Sequence, residues 1–343
     1  MEYRKLAGTD LEVPVLTLGT GTFGGSHGFE RWGHTDVAEA TRMVDMAMDA
    51  GLCMFDTADM YSRGLSEEIL GKAVAHHRRD KFLISTKGCF EMSDNPKDRG
   101  ASRAHLISAC EDSLRRLGTD YVDLYYVHGF DATVEVEETM RALDDLVQSG
   151  KVRHIGCSNY SGWHLMKSEA TAESKGWTRF CAHQVYYSLL HRDFEWELMP
   201  LGLDQNISTF VWSPLAAGRL GGRYRRGMAV PNDSRVATKG LPVYEYLVDY
   251  DFLYDIIDVL DELAEETGHT VPQIALNWLL QRPTVTSLVI GARTEEHLRQ
   301  NLGATDWNLT AEQVARLETV SKRNKAYPYW HQDNNPWLKS QIF

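Results

Sequence analysis

The sequence predicts an α/β chain folded as a (β/α)8, or TIM, barrel, and three observations predict it. Eight short apolar runs recur along the chain, at Val15–Leu18, Cys53–Asp56, Phe82–Thr86, Val122–Val127, His154–Cys157, Phe180–Gln184, Ile207–Trp212 and Ser287–Ile290. They are apolar throughout rather than alternating, as expected of strands covered on both faces. Segments of helical period separate them, and strand–helix alternation builds a parallel sheet. The competing architecture is a doubly wound open sheet. It is disfavoured because "GTGTFGG" after the first strand has the glycines of a dinucleotide fingerprint but no helical period directly behind it.

The elements follow in order. Residues 3–6 and 13–16 flank the turn-like "GTDLE" and suggest an N-terminal β-hairpin. Thr35 can cap a helix with Val37, Thr41, Val44 and Met48 on one face. Ser102 can cap another that carries Leu106, Cys110, Ser113 and Leu117. Val136, Met140, Leu143 and Val147 make a third stripe, stopped by Gly150, and Leu165 to Gly176 a fourth. Later come Ile256, Leu260, Leu263 and Ala264, a helix opened by Pro272 and running through Leu280, and Glu295 to Gly303 after the eighth strand. Three stretches break the period. They are a polar loop at 88–101, a long loop rich in Gly, Pro and Arg at 221–250 after the seventh strand, and an aromatic C-terminal tail at 324–343. The chain, 1–343, reads as a single barrel domain with no linker.

Composition narrows the function. The hydrophobic and charged shares, 43% and 24%, are those of an ordinary globular protein able to bury a large core. A net charge of −12 argues against nucleic acid or an anionic membrane as partner. Five scattered cysteines, an odd number, point to reduced thiols. With no apolar signal core and no run long enough to span a bilayer, the expected location is the cytoplasm. Histidines such as His76 and His77 lack any zinc-site spacing, so no metal is expected. The sequence leaves the oligomeric state, a homo-oligomer included, open.

Reactive groups in such a barrel gather at the C-terminal strand ends. Asp56, Lys87 and His128 end three successive strands, and Tyr61 lies in the loop after the first of these. Their types suit reduction of a carbonyl by hydride. Tyr61 would protonate the developing alkoxide, Lys87 would stabilise the phenolate, Asp56 would hold Lys87, and His128 would orient the substrate oxygen. Taken singly, each has a plain structural role as cap, ion-pair member or core histidine. Ser158, Asn159 and Gln184, at the ends of strands five and six, together offer the donors and acceptors that an amide needs.

The blocks "DTADMYSRGLSEEILG", "LISTKG", "DYVDLYYVHGFD" and "GKVRHIGCSN" resemble the signature blocks of the aldo-keto reductase superfamily. The resemblance runs in order and spacing from "LGTGTFGG" to "GARTEEHLRQNLGA". "HGFD" and "WSPLAAGRL" are similar to the bacterial and potassium-channel β-subunit branch. The resemblance implies a barrel oxidoreductase that moves hydride from C4 of a nicotinamide, with Asp56, Tyr61, Lys87 and His128 as catalytic tetrad. It implies that Ser158, Asn159 and Gln184 hold the carboxamide and that Trp212 stacks on the ring. Ser213, Pro214, Leu215, Ala216, Gly218 and Leu220 would form the pyrophosphate loop, with Arg223 and Arg235 as basic contacts. Gly291, Arg293, Thr294, His297, Gln300 and Asn301 would hold the adenosine end, and Gly21, Thr22 and Phe23 the nicotinamide end. Arg293 favours NADPH over NADH.

A small-molecule carbonyl or alcohol is the implied substrate. Phe23, Trp32, Phe90, Phe130 and Trp330 are candidates to line its pocket. A different class of function remains open: an NADPH-binding regulatory or redox-sensing subunit with little turnover, since channel β-subunits of the resembled branch keep the tetrad.

Overall fold

The structure, a computed structural model, describes residues 1–232, 234, 248–335 and 337. Strands β1 (Tyr3–Lys5) and β2 (Glu12–Pro14) pair antiparallel as the expected hairpin. Eight parallel strands follow: β3 (Leu16–Gly19), β4 (Met54–Asp56), β5 (Leu83–Gly88), β6 (Val122–Val127), β7 (Val152–Ser158), β8 (Ala182–Tyr186), β9 (Ser208–Trp212) and β10 (Val285–Gly291). They close into a barrel, because β10 pairs with both β9 and β3. Each expected strand lies within two residues of an observed one at either end, and of the residues read as strand ends Gln184 falls two short of the end of β8.

Helices α1 (Val37–Asp49), α2 (Leu65–Val74), α3 (Arg103–Leu117), α4 (Val136–Gln148), α5 (Gly162–Lys175), α6 (Leu198–Gln205), α7 (Tyr250–Thr267), α8 (Val271–Leu280), α9 (Glu295–Leu302), α10 (Ala311–Val320) and α11 (Tyr329–Asp333) surround the barrel or follow it. The expected cap Thr35 is displaced by its neighbour. Asp36 accepts from the Glu39 N–H while the Glu39 carboxylate accepts from the Asp36 N–H, a full capping box. Thr35 instead bridges to Phe23 as a short strand-like pair. Ser102 caps α3 as expected. Three helices were not foreseen from the sequence: α6, α10 and the five-residue α11 inside the aromatic tail. The α6 segment "LMPLGLDQ" carries Pro and Gly, and α10 buries only Leu317, so neither shows an apolar stripe.

The period-2 alternation of strands, hidden in sequence by uniform apolarity, is plain in the packing. Outward residues such as Phe55, Ile84, Tyr125, Ile155 and Val211 join the large core between barrel and helices. Inward Met54, Leu124, Tyr126, Ala182 and Phe210 form a second cluster, which Leu6 and Val13 of the hairpin close from below. The barrel interior is thus packed solid beneath its open end.

One buried group sits oddly in this core. Asp59, just after β4, is wholly buried, and neither carboxyl oxygen has a hydrogen-bond partner of sound geometry. Its amide donates to the Lys87 carbonyl at 3.0 Å. Nearby Glu67 is buried as well but satisfied, accepting from Thr86 Oγ1 at 2.5 Å and from Arg116 Nε at 2.6 Å. Burial first, and the Glu67 charge second, push the Asp59 carboxyl well above its ordinary range. An acid that holds its proton more tightly folded than unfolded loses stability as pH rises above about 3.9, its unfolded value. Asp59→Asn removes that loss. The melting temperature of the variant relative to the parent is therefore expected to improve steadily from acid to neutral pH. A difference that stays constant with pH, measured by calorimetry, would count against a buried, protonated Asp59.

Candidate active site

The second inward layer ends at the open mouth. Two residues above the inward Met54, Ser85 and Tyr126 stand Asp56, Lys87 and His128. Two above Gly156, Ala182 and Phe210 stand Ser158, Gln184 and Trp212. One alternation step on six strands therefore aims six polar or aromatic side chains at one space. Gly156 has no room for a side chain, because a Cβ would lie 2.6 Å from the Tyr126 ring. Tyr61 arrives differently. It begins a short 3-10 turn in which Ser62 and Arg63 have φ of 50° and 51°, followed by Gly64 at 88°. Left-handed backbone costs non-glycine residues about 1–2 kcal/mol each. Ser62 Oγ offsets part of this cost by donating to the Phe23 carbonyl at 3.1 Å.

Lys87 is completely buried. Its ammonium donates to Asp56 Oδ2 at 2.5 Å, to the Thr57 carbonyl at 2.7 Å and to Tyr61 Oη at 3.5 Å. Asp56 Oδ1 accepts from Ser85 Oγ at 2.6 Å and, across the barrel, from Gln184 Nε2 at 3.0 Å. Burial works against the charge of Lys87, but the Asp56 carboxylate outweighs it, and the ammonium is held above its usual value. Burial raises the Tyr61 phenol, with Asp56 adding to it. The Lys87 charge opposes this without reversing it. The expected lowering by Lys87 is thus present, and burial overrides it at this Lys87–Tyr61 separation. Burial and the Lys87 charge together drive His128 well below 6.5, so its ring is neutral. His128 Nδ1 is buried without a hydrogen-bond partner. Phe90 and Tyr61 flank the ring, at 4.6 and 5.9 Å between centroids.

Above this layer lies a cavity of about 970 Å³, at the upper end of small-ligand sites. It runs from Tyr61 and His128 past Trp212 and the segment after β9 to the start of α9. Among the residues expected to meet a dinucleotide, it is lined by Gly21, Thr22, Asp56, Ser158, Asn159, Gln184, Trp212, Ser213, Pro214, Leu215, Gly218, Arg223, Gly291, Arg293, His297, Gln300 and Asn301. Trp212 is half-buried, with one face stacked on Tyr186 at 4.6 Å and 19°. Asn159, left-handed at φ 59°, ties this wall together. Its Nδ2 donates to the His128 carbonyl and its Oδ1 accepts from Trp212 Nε1, at 3.0 and 3.1 Å. The turn after β9 carries only small side chains at Ala216, Ala217 and Gly218, with φ of 50°, 57° and 88°. Its backbone is bare enough for close approach. A long cavity with amide-matched groups at one end and an arginine and bare glycine at the other fits a nicotinamide dinucleotide.

Several expectations need correction. Phe23, Ala216 and Leu220 are fully buried in the core and support the mouth without lining it. Thr294 caps α9, accepting from the His297 N–H. Arg293 donates to the Arg31 and Trp32 carbonyls at 2.6 and 3.2 Å, so it also pins the loop after β3. Ser158 Oγ donates to the Gln184 carbonyl, and the Gln184 amide is engaged by Asp56. Phe130 stacks on His164 at 3.7 Å outside the cavity, and Trp330 sits half-exposed on α11 away from it. Trp32 and Phe90 do line it. Arg235 and most of the far end of the 221–250 loop lie outside the described residues. Sequence reasoning missed Phe29, which packs 5.5 Å from both Trp32 and Tyr61, as well as Met60 and Tyr186. Tyr186 was findable, being two residues beyond Gln184 on the same strand face. Phe29 lies in an irregular loop with no periodic signal.

Comparison with known proteins agrees with this geometry. Residues 15–322 match the model of the Aldo/keto reductase family. An uncharacterized oxidoreductase of Bacillus subtilis, YrpG, is 36% identical, with 93% of this chain and 96% of that one covered. A probable voltage-gated potassium channel subunit beta of Arabidopsis thaliana is 34% identical over 89% and 92%. A versiconal hemiacetal acetate reductase of Aspergillus parasiticus is 33% identical over 93% and 96%. No described helix is long and apolar enough to cross a membrane. An eight-stranded barrel, a carboxylate–ammonium–phenol–imidazole cluster at its mouth and a family match across nearly all of its length agree: the chain belongs to the aldo/keto reductase family, a family of nicotinamide-dependent oxidoreductases.

Proposed function

We propose that the chain is an NADPH-dependent reductase of aldehydes or ketones, reversible towards alcohol oxidation, with Tyr61 as general acid. The observation that carries this reading is the buried chain of contacts from Asp56 through Lys87 to Tyr61, ending beside a neutral His128 at the cavity floor.

A nicotinamide held in this cavity would supply the hydride for the carbonyl carbon. As the carbonyl π pair moves onto oxygen, Tyr61 Oη gives that oxygen its proton. The resulting phenolate lies next to the Lys87 ammonium, which Asp56 keeps in place and charged. His128, uncharged, donates to the carbonyl oxygen without competing as an acid and fixes the angle of approach. Ser158, Asn159 and Gln184 line the end where the carboxamide would lie and would hold it by exchanging part of their bonds to the Gln184 carbonyl, the His128 carbonyl and Asp56, with Trp212, braced by Tyr186, against the ring. Phe29, Trp32 and Phe90 around the reacting end favour flat, apolar carbonyls such as aromatic aldehydes. A second reading has one observation behind it, the relatives named as probable potassium channel subunits beta. In it the site binds NADPH and reports redox state with little turnover.

Tyr61→Phe is expected to lower kcat for reduction by about 10²–10⁴-fold while leaving NADPH affinity unchanged. Steady-state rates and a fluorescence titration separate the two, and retained turnover would remove Tyr61 from the acid role. Because the Tyr61 phenol is raised, reduction by the parent protein should show no loss at this acid between about pH 6 and 9. A fall in that window would show a lowered phenol instead. A panel of carbonyls with NADPH decides between the readings: tight cofactor binding with no turnover on any of them supports the sensor.

Arg293→Leu should reduce the affinity for NADPH about 10–100-fold, the worth of a charge-assisted phosphate contact, with a much smaller change for NADH. Equal losses for the two cofactors would mean that Arg293 serves only to pin the loop at Arg31 and Trp32.

A further inference from the structure

A second cluster of ligating side chains lies at the opposite end of the barrel. Helices α1 and α2 run antiparallel to the strands, so their C-terminal ends reach the closed rim, where Tyr3 of the hairpin donates to the Gly51 carbonyl. Asp45 stands near the end of α1. His76 and His77 follow the last residue of α2 in a turn. Consecutive residues inside a helix point about 100° apart. Here the helix has ended, and the two imidazole rings lie side by side with centroids 4.1 Å apart. Both present Nε2 to the same carboxylate oxygen, Asp45 Oδ1, at 2.7 and 2.8 Å. One ligand atom from each of the three residues lies within 4.8 Å of the other two.

We propose that Asp45, His76 and His77 bind a divalent first-row transition ion, zinc in the first instance, which ties α1 to α2 at the closed rim. Two imidazole nitrogens and a carboxylate oxygen are ligands that suit zinc, copper, nickel or cobalt and not magnesium or calcium. The geometry is near to what is required. Zinc–nitrogen and zinc–oxygen bonds of about 2.0–2.2 Å in a tetrahedron place ligand atoms about 3.3–3.6 Å apart. The two N···O separations, 2.7 and 2.8 Å, would therefore open by about 0.5–0.9 Å. Both rings present Nε2 to the Asp45 carboxylate; as the ion takes the two Nε2 lone pairs, each neutral ring carries its proton on Nδ1 instead. Partial exposure of all three residues leaves an entry path and room for a water at the fourth position. The motif is invisible to spacing rules, since Asp45 lies 31 residues before His76. The expectation of no metal rested on those rules alone.

The test uses the full-length protein stripped with a chelator and titrated with zinc chloride by calorimetry. The expected result is one zinc per chain. Asp45→Asn, His76→Asn and His77→Asn should each lower affinity by more than the roughly 10–100-fold typical of losing an outer-shell partner. Saturating zinc should raise the melting temperature by about 2–6 °C. It should leave the His76→Asn/His77→Asn double variant unmoved, and circular dichroism would check the fold of that variant. Cobalt chloride gives an independent signature, weak visible bands without a thiolate charge-transfer band. The proposal fails if the parent protein takes up no zinc in the micromolar range. It also fails if the double variant binds equally well, or if a thiolate band places the ion on a cysteine.

Discussion

A fully buried ammonium has to be kept charged at the mouth of this barrel, and the site is arranged around that constraint. Removing a charge of this kind from water costs several kcal/mol even after relaxation. Lys87 meets that cost with Asp56 at 2.5 Å and the Thr57 carbonyl at 2.7 Å. Asp56 is in turn fixed by Ser85 from the neighbouring strand and Gln184 from the far side of the barrel. The pair thus draws on three strands and the first residue after β4. Removing Asp56 would leave the buried Lys87 charge uncompensated. Burial is the larger cause at both remaining members: it lowers His128, with the Lys87 charge adding to it, and it raises the Tyr61 phenol, with the Lys87 charge opposing it.

The barrel supplies precision where loops supply shape. Alternation on β4 to β9 delivers Asp56, Lys87 and His128 and the Ser158, Gln184 and Trp212 wall at one height above the packed interior. Tyr61 needs a different device, a run of left-handed residues whose strain is held by Ser62 on the Phe23 carbonyl. The roof is assembled from separate pieces joined by arginines. Arg293 ties the start of α9 to the loop after β3. Arg226 reaches Asp255 and Asp258 on α7, so the described part of the loop after β9 is moored to an acidic helix face. These moorings are exposed ion pairs and carbonyl contacts, individually weak.

Much of the site was legible in the sequence, and for a specific reason. Strand ends are marked by the change from apolar run to polar or glycine residue. In a closed parallel barrel those ends all meet, so Asp56, Lys87, His128, Ser158 and Gln184 could be gathered before any coordinates, while Trp212 joined them only through the family resemblance. The aromatic candidates fared worse. Trp32 and Phe90 line the cavity, while Phe23 is core, Phe130 packs on His164 and Trp330 stands apart. Loop and tail side chains carry no period, and their aromatic character is equally suited to a wall, a core or a surface.

The sequence by itself determined the barrel, the order of its strands and the chemistry of the residues at its mouth, because periodicity and strand-end position are local properties of the chain. Tertiary structure decided the rest. It decided that burial outweighs the lysine at Tyr61, because the balance turns on a 3.5 Å separation between groups 26 residues apart. It showed that Gln184 reaches Asp56 across 128 residues and that Arg293 pins Trp32 across 261. It also joined Asp45 to two histidines that no spacing pattern connects. Such contacts depend on distances through space, and those exist only once the barrel has closed.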